Sequence, residues 1–166
     1  MDVLTAEQRH RNMSAIRSRN TKPEILVRHF LWSRGFRYRL NTAGLPGHPD
    51  IVLRKYRTCI FVNGCFWHGH ENCRYFRLPA TNRDFWRKKI ARNVERDSEE
   101  LRQLASLGWH CITVWECGLK KNWRESTLES LVTALKRTYD EEHGTAPDRS
   151  GDKQENAAVS ERISGS

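Results

Sequence analysis

Ile51-Val52-Leu53-Arg54-Lys55-Tyr56-Arg57-Thr58-Cys59-Ile60-Phe61-Val62-Asn63-Gly64-Cys65-Phe66-Trp67-His68-Gly69-His70-Glu71-Asn72-Cys73 is the stretch from which the architecture can be worked out. Its two short β-favouring runs, 51–53 and 58–62, are separated by Arg54 to Arg57, so they read as two strands joined by a tight turn. The second strand runs straight into a loop carrying two cysteines and two histidines. No packing rule asks for that density, whereas thiolates and neutral imidazoles are the preferred ligands of zinc. Cys65-x4-His70-x2-Cys73 offers three ligands, and Cys117, just after a short apolar run, is the best candidate for a fourth. Four ligands make a closed, structural site, which leaves any chemistry to the residues beside it. His68 is a fifth candidate, and spacing alone does not say which histidine is off the metal.

The elements around this stretch follow local signals. Thr5-Ala6-Glu7-Gln8 and Thr21-Lys22-Pro23-Glu24 each place a hydroxyl three residues ahead of Glu or Gln, so each should open a helix. In the second, Ile25, Leu26, Phe30 and Leu31 follow helical spacing and Gly35 suits the stop. Residues 36–40 alternate apolar and basic, as a half-buried strand does, and 41–49 is a loop dense in Gly and Pro. Thr81 or Asn82 can cap a long helix with Phe85, Trp86, Ile90, Val94, Leu101, Leu104 and Leu107 on one face, ended by Gly108. A final strand is expected over 111–115 and an amphipathic helix over 127–139. The expected arrangement is an α/β domain over residues 1–142, followed by a disordered tail over 143–166 that is rich in Gly, Ser, Asp and Asn.

Composition narrows the function classes. The chain has 166 residues, 37% of them hydrophobic, enough for one domain with a real core. No apolar run approaches the roughly 20 residues a membrane span needs, and the basic N-terminus is unlike a signal peptide, so a cytoplasmic protein is expected. Five cysteines is an odd number, which argues for metal-bound or buried thiols over a disulfide framework, with Cys59 and Cys111 read as small core residues. The formal charge of +9 and pI near 9.7 point to a polyanion. Residues 1–39 carry nine Lys/Arg against three Asp/Glu, a net of +6. Basic residues interleave with Phe66, Trp67, Phe85 and Trp86, the mixture used to stack on or wedge between bases. Nucleic acid is therefore the expected partner.

A helix, three strands, a helix and a strand, with an Asp opening the second strand as Pro49-Asp50 does, is the element order of the restriction-endonuclease-like nucleases. The text around it is more specific: Leu45-Pro46-Gly47-His48-Pro49-Asp50, Asn63-Gly64-Cys65-Phe66-Trp67-His68, Pro79-Ala80-Thr81, Phe85-Trp86, Asn93-Val94-Glu95-Arg96-Asp97 and Val114-Trp115-Glu116-Cys117. In that order and spacing, from about Arg9 to Tyr139, the chain resembles the very short patch repair (Vsr) DNA mismatch endonucleases. The resemblance implies a restriction-endonuclease-like core (α-β-β-β-α-β) with an N-terminal helix, a structural zinc site and a C-terminal helix. It implies magnesium-dependent, strand-specific nicking of duplex DNA beside the T of a T·G mismatch left by deamination of 5-methylcytosine.

On the matching positions, the resemblance assigns Asp50 to magnesium, helped by the Val62 backbone carbonyl, and His70 to zinc with Cys65, Cys73 and Cys117. His68 becomes the general base, and Phe66, Trp67 and Trp86 become the wedge at the mismatch. Lys89 and Asn93, three and seven residues beyond Trp86, can reach base edges; the bland reading is a solvated face. Glu24 matches an acidic residue near the active site and is equally well read as the N3 partner of Thr21. Asn63 stands where the family usually has a histidine, and an amide cannot carry a proton at neutral pH. The expected partners are mismatched duplex DNA and proteins of mismatch repair, with the chain acting as a monomer. Two rival readings are a nuclease of the same fold with another target and a non-catalytic, zinc-stabilised DNA-binding module. The second has no reason to keep Asp50 and His68.

Overall fold

The computed structural model describes residues 19–144, together with Thr5, Glu7, Gln8, His10 and Arg11. Helix α1 (Lys22–Ser33) leads to strand β1 (Ile51–Leu53), a 3-10 turn (Arg54–Tyr56) and strand β2 (Thr58–Asn63). Helix α2 (Arg83–Ser106) then crosses to strand β3 (His110–Trp115), followed by a second 3-10 turn (Glu116–Leu119) and helix α3 (Arg124–His143). β1 pairs antiparallel with β2, Ile51 opposite Ile60, and β2 pairs parallel with β3, Thr58 opposite His110. Among the described residues the result is a mixed α/β domain with a three-stranded sheet and three continuous helices.

Strand periodicity explains the layering. Successive side chains leave opposite faces of a strand, and these strands are apolar on both. Ile51, Leu53, Ile60 and Val114 pack on one face against Val27 and Leu31 of α1 and Leu128, Leu131, Val132 and Leu135 of α3. Val52 and Cys59 turn to the other face, where Leu104 of α2 meets them with Phe61 and Cys111 alongside. Helices on both faces account for the unbroken apolar runs, since a sheet covered twice has no polar side. Cys59 and Cys111 stand opposite one another in the β2–β3 register. Burial pushes the Cys59 thiol up to about 12, as expected of an inert core residue. Truncating a fully buried leucine such as Leu31 or Leu104 to alanine would cost about 2–5 kcal/mol.

Helix ends follow the expected chemistry. Thr21 caps α1 by accepting the Glu24 N–H through Oγ1 at 3.4 Å, and Gly35 takes φ +87° just past its end. Thr5 and Gln8 make a reciprocal capping pair, Thr5 N to Gln8 Oε1 at 2.9 Å and Gln8 N to Thr5 Oγ1 at 3.2 Å; most of the helix expected beyond them lies outside the described residues. The start of α2 departs from this: Asn82 stands at the N-cap position as expected but takes a left-handed conformation and makes no side-chain cap hydrogen bond, so that cap is corrected.

Three further expectations are corrected. The strand expected over 36–40 reduces to one bridge, Arg39 with Val52, closed by two 2.9 Å backbone hydrogen bonds. Phe36 is buried and Tyr38 half-buried as alternation requires, but Asn41 takes φ +50° and turns the chain away before a ladder can form. The last helix extends beyond 127–139 at both ends and includes His143, with Gly144 as its left-handed stop; the tail from 145 on lies outside the described residues. Not every periodic apolar residue is core. Ile25, Phe85, Val94 and Leu107 are exposed, and Val27 supplies the burial in α1 that Ile25 does not. Among the described residues no helix is long and apolar enough to cross a membrane.

Candidate active site and metal centre

β2 and β3 both end on the side where β1 begins, so Asp50, the Val62-Asn63-Gly64 segment and Glu116 converge at one edge of the sheet. Ligand sites of open α/β sheets form outside such strand ends. Here they line a cleft of about 1170 Å³ walled by α1 (Glu24, Arg28), the loop around Asn41 to His48, Trp67 and His68, and α2 (Arg96, Asp97, Glu100).

Asp50 is fixed by the hairpin. Its Oδ2 accepts the Val62 N–H at 2.7 Å across the open end of β1 and β2. A strand residue's N–H and C=O leave on the same edge, so the Val62 carbonyl faces the Asp50 side. Burial, opposed by that hydrogen bond and reinforced by the charge of Glu24, pushes the Asp50 carboxyl up from 3.8 to about 6. Glu24 is only 3% exposed. Its Oε2 accepts the Asn20 N–H at 2.9 Å and Arg28 Nη2 at 3.0 Å. It lines the cleft, and as a helix-start partner it bonds the Asn20 N–H in place of the Thr21 N–H expected of an N3 residue. Arg28 also donates to Asn20 Oδ1 at 2.7 Å, while its Nε is buried without a partner. Two carboxyls gathered in a half-buried cleft beside a backbone carbonyl form an oxygen-rich set that suits a hard divalent cation, whose charge would relieve their mutual repulsion.

His68 sits on the opposite wall, its Nδ1 2.5 Å from Asp97 Oδ2. With Nδ1–H donated to the carboxylate, Nε2 carries the lone pair and can accept a proton. Asp97 was not anticipated as a site residue. Its motif is present in the sequence, but nothing local connects it to a histidine 29 positions away. Arg28 was also missed, although its i,i+4 spacing from Glu24 on one helix is a local signal for that pair. Asn63 lines the cleft between Val62 and Gly64.

Cys65, His70, Cys73 and Cys117 come together behind His68, their ligand atoms all within 4.8 Å of one another. Cys117 Sγ is 3.5 Å from His70 Nδ1, and the imidazole stacks on Trp115 with ring centroids 4.0 Å apart. Burial pushes the Cys65 thiol up to about 12 and raises that of Cys117, so these two sulfurs need a cation to be held as thiolates, while at Cys73 desolvation is outweighed by hydrogen bonds that lower its thiol; three thiols with one imidazole is a donor set that zinc fits. His68 is outside the group. The loop closes on α2 because Gly69 has no side chain: at φ +58°, a Cβ there would lie 2.9 Å from both Ile90 and Val94.

Phe66, Trp67 and Trp86 form one aromatic cluster with centroid separations of 5.1 to 5.9 Å. Phe85 packs on Trp86 at 5.4 Å and is 58% exposed. The Lys89 ammonium lies 5.7 to 5.9 Å from the rings of Trp67, Phe85 and Trp86. Asn93 is turned inward: its Nδ2 donates to the Trp67 carbonyl at 3.0 Å. Neither side chain has the plain solvated setting that a surface face would give.

Over residues 1–74 the chain matches the family model described as DNA mismatch endonuclease Vsr. It is 44% identical over 132 residues to the DNA mismatch endonuclease Vsr of Escherichia coli (strain K12), covering 80% of this chain and 83% of that protein. The chain belongs to the Vsr DNA mismatch endonuclease family. Other relatives are named for nicking. The type II nicking enzyme V.NmeAIP of Neisseria meningitidis serogroup A / serotype 4A (strain DSM 15465 / Z2491) is 49% identical over 136 residues, 81% of this chain and 96% of the relative. V.XorIIP of Xanthomonas oryzae pv. oryzae (strain KACC10331 / KXO85) is 47% identical over 139 residues, 84% and 97%. The Vsr-family chain described here is thus a DNA endonuclease whose cleft joins acidic residues, a His–Asp pair and an aromatic cluster.

Proposed function

We propose that this protein nicks one strand of duplex DNA beside the thymine of a T·G mismatch arising from 5-methylcytosine deamination, with magnesium at the cleft and zinc in the cysteine-histidine cluster. The observation that carries the reading is the meeting of Asp50 and the His68–Asp97 pair in one cleft whose wall continues into the Phe66, Trp67 and Trp86 cluster.

Bound there, magnesium would neutralise charge on the phosphate. The Asp50 carboxylate, with the Val62 carbonyl and Glu24 as the neighbouring oxygen donors, would hold it. His68 takes a proton from water at Nε2, and Asp97 holds the ring and favours the imidazolium that forms. Asn63 can orient water or a phosphate oxygen by hydrogen bonding but moves no proton. The aromatic rings wedge into the stack. Unstacking costs a few kcal/mol per step and is least at a weakened wobble pair, so insertion itself selects mismatches. Lys89 stands beside the wedge to meet base edges, whereas Asn93, expected to do the same, donates its amide N–H to the Trp67 carbonyl.

The core is read as restriction-endonuclease-like, on the strength of Asp50 opening β1, the antiparallel β1–β2 pair and the parallel return of β3. The protein is placed in the cytoplasm, acting as a monomer on mismatched DNA and alongside mismatch-repair proteins; five free thiols suit a reducing compartment.

The test uses purified protein with end-labelled duplexes carrying T·G, A·C or no mismatch, with and without Mg²⁺. Nicking confined to the T strand of the T·G duplex in Mg²⁺ is expected. Nicking of fully paired duplex at the same rate would favour a restriction-type nuclease, and binding without nicking would favour a DNA-binding module.

A further inference from the structure

Helix α2 touches the wedge and the general base through one row of side chains. Trp86, Asn93 and Asp97 are seven and eleven positions apart, which at about 100° per residue places all three within about 20° of one line along the helix. Trp86 packs on Trp67, Asn93 donates to the Trp67 carbonyl at 3.0 Å, and Asp97 holds the His68 ring at 2.5 Å. Trp67 and His68 are consecutive, and the peptide joining them is held at both polar ends: Asn93 Nδ2 donates to its carbonyl, and its N–H donates to the Gly64 carbonyl at 3.3 Å. The wedge ring and the imidazole therefore leave opposite sides of a single clamped peptide unit.

The geometry points to a coupling device: Asn93 is a positioning residue that fixes the Trp67–His68 peptide against α2, so that seating the wedge in the base stack sets the aim of the His68 imidazole into the cleft. This rests on the general-base and wedge roles proposed above and goes beyond them by giving Asn93 a task that is not base reading. In a duplex without a weak step the wedge cannot seat, the peptide is not driven to its working position, and the base stays misaligned. Mismatch selectivity is then expressed in the chemical step as well as in binding. Displacing a reacting group by about 1 Å can cost on the order of 10²-fold in rate.

Asn93→Ala removes the donor, and Asn93→Asp keeps the shape while replacing the donor with an acceptor. Both are measured in single turnover with protein saturating over a T·G duplex in Mg²⁺, beside equilibrium affinities for T·G and T·A duplexes. Both variants should slow nicking of the bound duplex by about 10- to 10²-fold, with T·G affinity and the T·G to T·A preference changed less than about threefold, an allowance for one lost neutral hydrogen bond. DNA-free protein labelled with ¹⁵N-histidine supplies a readout that does not need activity. At one fixed pH the His68 ring resonances should shift in both variants, while those of His110, on the far strand, stay in place. Unshifted His68 resonances, full rate in the Asp variant, or a loss of T·G preference with an unchanged bound rate would overturn the clamp. A His68→Ala protein that nicks as fast as the unsubstituted one would overturn the general-base reading instead, and the DNA-free spectra would still decide the clamp.

Discussion

Nδ1 of His68 lies 2.5 Å from Oδ2 of Asp97, a contact between the cysteine-histidine loop and the middle of helix α2. It fixes which ring nitrogen is free to work. Asp97→Asn keeps the size and a hydrogen-bonding group but can present the wrong tautomer and loses the charge that supports an imidazolium. T·G nicking should fall by about 10²-fold or more, with duplex affinity and melting temperature nearly unchanged. A rate within threefold of the parent would remove Asp97 from the mechanism.

On the proposed mechanism, Asp50 links activity to stability. A carboxyl whose pKa is raised on folding binds its proton more tightly in the folded state, so ionising it opposes folding. That cost is absent below the ordinary value of 3.8, grows as pH rises to about 6 and is constant above. A shift of this size corresponds to about 3 kcal/mol. Asp50→Asn should therefore melt higher than the parent at pH 7 without divalent cations, the difference closing toward pH 4. Asp50→Ala and Asp50→Asn should both abolish incision while leaving T·G binding intact or tighter. Equal melting of Asp50→Asn and parent across that range would contradict the burial argument.

One zinc per chain is expected, with Cys65, His70, Cys73 and Cys117 as ligands. Cys117→Ser should lower both zinc content and melting temperature, because closed sulfur-nitrogen sites contribute directly to folding. Elemental analysis alongside calorimetry decides it; full metal with unchanged melting in the variant would exclude Cys117.

Trp67→Ala and Trp86→Ala should lose discrimination between T·G and T·A duplexes more than overall affinity, since phosphate contacts supply most sequence-independent binding. Each stacking contact is worth about 1–3 kcal/mol, so about 10- to 10²-fold of preference is at stake in a competition assay. Equal losses on both duplexes would make the two rings packing residues only.

Asn63→His should raise the rate of T·G nicking near neutral pH, because it places a titratable imidazole in a cleft wall that now carries an amide. If it is neutral or slower while His68→Ala is inactive, proton transfer in this protein runs through His68 alone.

What the sequence determined by itself was whatever local spacing encodes. The β-favouring run from Thr58 and the four-residue turn before it defined a hairpin, the Thr21 hydroxyl three residues before Glu24 defined a helix start, and Cys65, His70 and Cys73 announced a metal loop. These signals act between neighbours in the chain, so they survive without a fold. Tertiary structure decided what depends on register and on the α2 crossover. The parallel pairing of β2 with β3 brings Cys117 to His70 across 47 residues and leaves His68 outside that cluster. The packing of α2 turns Asp97 to His68 and Asn93 to Trp67, and leaves Phe85 exposed beside Trp86 despite its place in the apolar period. A helix period says which residues share a face but not what that face meets; here the face meets a loop pulled close by Gly69, and that approach assembles the candidate site.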